Sequence, residues 1–381
     1  MELDMIVLDK SRVAENIEKR ITEDVLSGRV GGASVLVKQN GETVYRSVFG
    51  RADAERELRS DSVFRLASMT KPITAVAIVK QIERGLVSLD DTLDKYIPEY
   101  AEMEIARVRD GELEILGKAQ NKIKILHLLT HSSGVACGEV GAMLGKRFSE
   151  GREYDLESVA REYSAHPISF EPYTAQLYSG RVGFDLLARV VELTSGMSYD
   201  EFLKKELFEP LGMTDTTFDP TDEQWDRAVA MHNFVDGEAK FAPIDRKHIF
   251  ESLPLGYFCG GAGLASTVSD YEKFADMLLA NGKNADGRQI VGEEYARLLR
   301  TVAIPHSVMP GNQKWALGMR VITDPSYASL PLNSYGWSGA YGTHFWVDPD
   351  NGIVGIYMKN SRYDGGSGAK TALNFEKDVY L

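Results

Sequence analysis

Between residues 12 and 27 apolar and charged positions alternate at helical spacing, which predicts a helix closing near Gly28. The following run, ASVLVKQNGETVYRSVFG, holds two β-rich segments around Asn40-Gly41, the dipeptide most suited to a two-residue hairpin turn. The segment ITAVAIVKQIER keeps apolar residues at helical spacing up to Gly85, a helix-terminating signal. From about 86 to 257 helical patterns dominate, broken by Gly, Pro and Asp clusters, and Asp110-Gly111 reads as the turn of a small hairpin. Strand patterns return in WALGMRVI, read as one strand, and in THFWVDPDNGIVGIYMKN, which turns at Asp350-Asn351-Gly352. Residues 368–381 read as a closing helix.

Early strands, a helical middle and late hairpin strands predict an α+β chain whose two ends share one antiparallel sheet flanked by helices. On this reading residues 1–85 and 258–381 are the two parts of one α/β domain, and 86–257 form a mostly helical insertion.

Charge narrows the partners. With 43 Lys and Arg against 56 Asp and Glu, the net charge of −13 disfavours nucleic acid and anionic membrane. With acids at Glu2 and Asp4 and no sustained apolar run, a secretory signal peptide is not expected at the amino terminus. The most uniform apolar run, Ile73 to Val79, is far below the roughly 20 residues that cross a bilayer. Two cysteines, Cys137 and Cys259, imply buried thiols rather than a disulfide framework, and a reducing cytoplasm is the expected compartment.

The candidate chemistry begins in FRLASMTKPITAV, where Ser68 and Lys71 stand three apart at the start of an apolar helix. That spacing puts both side chains on one face, beside the free N–H groups and positive dipole end of a helix amino terminus. Acyl transfer by serine needs an activated hydroxyl and donors for a developing oxyanion, and such a site offers both. To act as a base itself, Lys71 has to be neutral. Pro72 has no N–H to give the Ser68 carbonyl, so a loose first turn with room around Ser68 is expected. A second S-x-x-K match, Ser367 to Lys370, lies in a Gly-rich stretch with no apolar helix before the carboxyl terminus.

Six segments in order, FRLASMTK, LLTHSSGV, LYSGRVGFDLLARVVE, FEPLGMTDTTF, GGAGLASTVSDYEKFADMLL and YGWSGAYGTHFWVDP, resemble the serine β-lactamase and penicillin-binding-protein superfamily. The likeness is to its class C β-lactamase-like branch, which includes family VIII carboxylesterases. It implies the β-lactamase-like fold, Ser68 as nucleophile, Lys71 as its activating partner and Tyr178 as general base. It also implies a substrate-binding strand at Trp337-Ser338-Gly339 and an oxyanion hole from the backbone N–H groups of Ser68 and Ala340. Gly180 stands where the family's Y-x-N motif carries asparagine, and Trp337 where its K-T-G triplet carries lysine. Losing that amide and that cation shifts the expectation from β-lactams to neutral acyl groups. Trp337, between Gly336 and Gly339, then reads as an exposed pocket wall. Asn360 and Arg362 read as a solvated loop.

The resemblance thus predicts a serine hydrolase of small esters, with amides as a further class, no cofactor and a small-molecule partner. β-Lactam hydrolysis, D-amino-acid peptidase activity and acyl transfer remain alternatives on the same fold, as does a non-catalytic binding protein that retains it. Two other patterns are weaker. His127 and His131 are four apart on an expected helix that Gly134 terminates, but Leu128 replaces a zinc protease's glutamate, so no metal site is expected. GWSGA at 336–340 nearly matches a nucleophile elbow, but Ala340 replaces its last glycine. The following His344 is expected on the same strand as Ser338.

Overall fold

The computed structural model describes residues 5–145, 154–250 and 253–381; residues 1–4, with Glu2 and Asp4, lie outside them. Helix α1 (Lys10–Leu26) starts at Asp9, whose carboxylate accepts the N–H groups of Ser11 and Arg12, and buries Val13, Ile17 and Ile21 as one stripe. Strands β1 (Gly32–Gln39) and β2 (Glu42–Gly50) form the hairpin turning at Asn40-Gly41. Helix α2 (Thr70–Glu83) is buried on all sides from Thr70 to Gln81 and ends before Gly85, which adopts φ +70°. Then come α3 (Val182–Ser195) and α4 (Val268–Leu279). Strands β3 (Gln313–Trp315), β4 (Arg320–Ile322), β5 (Tyr335–Ser338), β6 (His344–Asp348) and β7 (Ile353–Met358) precede the closing helix α5 (Lys370–Tyr380).

The seven strands make one antiparallel sheet in the order β3-β4-β5-β6-β7-β1-β2, so both chain ends build it. Side-chain alternation assigns its faces. Val35 and Val37 pack with the α1 stripe and with Phe375 and Val379 of α5. Leu36 and Phe345 face the larger core that holds α2, α3 and α4.

Two expectations change. WALGMRVI is not one strand: Gly318 adopts φ +70° and its N–H donates to the Leu129 carbonyl at 3.0 Å, turning the chain between β3 and β4. Besides the hairpin of Glu104–Arg109 and Glu112–Lys118, the middle third holds a second, His232–Val235 with Glu238–Phe241, turning at Asp236-Gly237. Cys137 and Cys259 are free and buried. Among the described residues no helix is long and apolar enough to cross a membrane.

Candidate active site

Ser68 lies in a 3-10 turn, Ala67–Met69, that runs directly into α2. The turn is tight rather than loose, because the Thr70 N–H closes it on the Ala67 carbonyl before Pro72 is reached. Ala67 is held at φ +48°, a conformation that costs a non-glycine residue roughly 1–2 kcal/mol. The surroundings hold it there: the Thr343 hydroxyl donates to the Leu66 carbonyl at 2.7 Å. Gly339 of the β5–β6 turn approaches so closely that a Cβ would sit 2.2 Å from the Leu66 oxygen. Asn360 is no solvated loop residue; it is buried, accepting the Arg65 N–H at 3.0 Å and donating to the Arg65 carbonyl at 3.1 Å. Arg362 is exposed, as expected.

Lys71 is fully buried. Its Nζ donates to the Ser68 Oγ at 3.1 Å, the Gly180 carbonyl at 2.6 Å and the Gly261 carbonyl at 2.8 Å. The two carbonyls take two of its N–H groups, and the Ser68 Oγ fills the third position around Nζ. The Gly261 end is braced in turn, since its N–H and the Tyr257 hydroxyl both donate to buried Asp185.

Tyr178 is 37% exposed and covers this lysine, whose Nζ lies 5.0 Å from the ring centroid. The phenol oxygen accepts a hydrogen bond from Trp337 Nε1 at 3.2 Å. Trp337 is therefore not an exposed wall; it is 7% exposed and wedged between Tyr178 and Trp315, at centroid distances of 5.4 and 4.5 Å. His131 closes this aromatic box at 4.4 Å from both Tyr178 and Trp315. Its Nδ1 accepts the Ser179 N–H at 3.1 Å, and burial followed by the charge of Lys71 pushes its pKa well below the ordinary histidine value. The expected helix around it ends early, at Leu129, and His131 has φ +55°. His127 instead accepts the Lys124 N–H and stacks on Tyr173.

Ser68, Tyr178, Trp337, Ser338 and Ala340 all line one cavity of about 620 Å³. Among the described residues neither the Ser68 nor the Ala340 N–H donates to a backbone acceptor. Gly180 is exposed beside the lysine it accepts from.

One part of the cavity escaped the sequence reading. His344 is on β6, paired opposite Ser338 of β5 rather than following it on one strand. Its Nδ1 lies 2.8 Å from the Ser338 Oγ, and its Nε2 lies 2.9 Å from Glu376 Oε1 on α5. The same oxygen accepts from Arg320 Nη2 at 3.1 Å, and Ser329 donates to the other carboxylate oxygen. Burial works to raise the Glu376 pKa, but His344, Arg320 and Ser329 outweigh it and hold it at about 2. Both ends of this chain, Ser338 and Arg320, line the cavity. Ser338 was marked by its motif, but Arg320 and Glu376 showed only as an arginine in a short apolar strand and a glutamate in an amphipathic helix.

The Beta-lactamase family profile matches residues 14–376. The chain belongs to that family. Esterase EstB of Burkholderia gladioli is 29% identical over 96% of this chain and 94% of its own length. Lovastatin esterase of Penicillium rubens is 33% identical over 93% and 95%. Among solved structures, EstCE1, described as a hydrolase with promiscuous acyltransferase activity, superposes with a TM-score of 0.81 at 24% identity, covering 98% of this chain and 99% of its own. Simvastatin synthase of Aspergillus terreus, in a mutant form, gives 0.77 at 22%, covering 97% and 98%. This β-lactamase-family member thus has the β-lactamase-like fold expected from its motifs.

Proposed function

We propose that the protein hydrolyses small esters through an acyl-enzyme on Ser68. The observation that carries this is the 3.1 Å hydrogen bond from Lys71 Nζ to Ser68 Oγ at the edge of a cavity of about 620 Å³. Similarity to two esterases over nearly the whole chain supports the reaction class.

Lys71 spends its three donors on Ser68, Gly180 and Gly261, so its role is to fix the hydroxyl oxygen and supply positive charge. The proton acceptor is then Tyr178 acting as a phenolate, its own proton having left to solvent before the cycle begins. Trp337 Nε1 fixes the phenol oxygen by donating to it, which leaves that oxygen able to exchange protons with Ser68 as the side chains close on substrate. As Ser68 Oγ attacks the ester carbonyl, the N–H groups of Ser68 and Ala340 hold the oxyanion. Collapse expels the alcohol, which takes the proton from Tyr178. Water then attacks the acyl-enzyme, giving its proton to Tyr178, and collapse releases the acid as that proton returns to the departing Ser68 oxygen. An alcohol in place of water gives acyl transfer by the same steps, and the breadth of the cavity admits it.

The test is hydrolysis of p-nitrophenyl butyrate by wild type beside Ser68→Ala, with nitrocefin in parallel. Ester turnover lost in the variant and slow nitrocefin turnover are expected. Wild-type turnover retained by Ser68→Ala on every ester hydrolysed rejects the acyl-enzyme.

A further inference from the structure

The aromatic cavity contains an arginine that the reaction above does not use. Arg320 is nine-tenths buried at the side chain and lines the cavity. Its place follows from register. Strand β4 pairs with β5 only at Arg320 opposite Gly336 and Val321 opposite Tyr335, so β5 is left unpaired on that side alongside Trp337 and Ser338. Arg320 stands at the end of that gap, on the same sheet face as Ser338.

Burying a guanidinium is costly unless its charge and its five donors are met. Among the described residues Arg320 donates to protein through Nη2 alone, to Glu376. Glu376 is itself shared, its Oε1 with His344 and its Oε2 with Ser329. The other cavity cation, Lys314, differs: its Nζ is taken up by the carbonyls of Met309 and Gly311 and faces His306. Arg320 therefore keeps Nε and Nη1 without a protein acceptor while Glu376 holds the fork in place. At the same Glu376 oxygen that holds Arg320, His344 is anchored through Nε2, and its Nδ1 fixes the Ser338 hydroxyl. A planar fork with open N–H groups beside a hydroxyl is suited to a carboxylate.

We propose that Arg320, with the Ser338 hydroxyl, forms an anion subsite that selects esters carrying a carboxylate. This rests on the ester-hydrolase reading above, and it replaces the expectation that Trp337 restricts the site to neutral acyl groups. Glu376 and His344 are positioning residues in this arrangement.

The experiment compares charged with neutral esters. Mono-p-nitrophenyl glutarate is paired with p-nitrophenyl butyrate, and 4-(butyryloxy)benzoate with phenyl butyrate, so that the carboxylate is offered on the acyl and on the alcohol side. Wild type is expected to favour the charged ester in at least one pair. In Arg320→Gln that charged-to-neutral ratio of kcat/KM falls tenfold or more, and Arg320→Lys retains part of it. A ratio is independent of the fraction of active enzyme. If Arg320→Gln does not fold, the double variant Arg320→Gln/Glu376→Gln, which leaves no uncompensated buried charge, is read in its place. No preference in either pair, or one that survives the loss of Arg320, overturns the subsite. Turnover that persists in Ser68→Ala instead overturns the acyl-enzyme, so the two failures are told apart.

Discussion

Lys71 and Gly180 are 109 positions apart, yet the lysine Nζ sits 2.6 Å from the glycine carbonyl oxygen. The contact joins the two segments that carry the serine and the tyrosine. Lys71→Ala removes it together with the bond to the Gly261 carbonyl. The buried Gly261 carbonyl left without a donor costs about 1–3 kcal/mol, while the exposed Gly180 carbonyl can turn to water. Unfolding in denaturant should show a stability loss of about that size, and ester turnover should fall by roughly 100-fold or more. Wild-type kcat in a folded Lys71→Ala protein would contradict the role given to this ammonium.

Gly180 offers a test in the opposite direction. A Cβ built there meets no heavy atom within 4 Å, and its backbone lies outside the left-handed region. Gly180→Asn, which restores the amide of the family's motif, is expected to change stability by no more than about 0.5 kcal/mol. Nitrocefin turnover relative to p-nitrophenyl butyrate should rise in the same variant. A large stability loss would mean that the space beside Lys71 is not open.

Trp337→Phe keeps one aromatic ring between Tyr178 and Trp315 while removing the donor to the Tyr178 oxygen and part of the indole's volume. One such hydrogen bond is worth about 0.5–1.5 kcal/mol, so kcat should drop by up to roughly tenfold. The pH–rate profile should move with it, since the group affected is the proposed base. A drop in kcat with an unmoved profile would assign Trp337 to packing alone.

Stability should depend on pH below neutrality. His131 is held neutral by burial and by Lys71, and burial, with the Lys124 charge, brings His127 down to about 4. An unfolded histidine protonates below about 6.5, so in that range the unfolded chain binds more protons than the native one and stability falls with pH. Each histidine contributes a slope of about 1.4 kcal/mol per pH unit from there down to its native pKa. Urea unfolding between pH 7.5 and 5 should show this, and His131→Gln should be less stable at pH 7.5 but have a flatter profile. An unchanged slope in that variant would show that His131 is protonated in the native state.

What the sequence disclosed was what short-range geometry determines. Helix α1 and the hairpins at Asn40-Gly41 and Asp110-Gly111 were legible because their signals span one turn, and Ser68 with Lys71 because three residues make one helical turn. Tyr178 carried no local signal and was singled out by its motif alone. His344 was misplaced because the link between β5 and β6, GAYGT, contains no hairpin dipeptide to mark the reversal. Arg320 and Glu376, 56 positions apart, are each unremarked in a short strand and a helix; sheet register and the docking of α5 bring them together. Asn360, read as loop, is buried because its amide matches both backbone groups of Arg65.

That last pairing has a consequence for the order in which the molecule can be made. Strand β1 lies between β2 and β7, and the Asn360 amide closes on Arg65 across 295 positions. On the ribosome, the amino-terminal hairpin and the serine turn emerge early but remain without these partners until β7 and Asn360 have been made. The nascent chain thus carries Ser68 long before the late strands and Asn360 can hold its turn in the geometry of the folded protein.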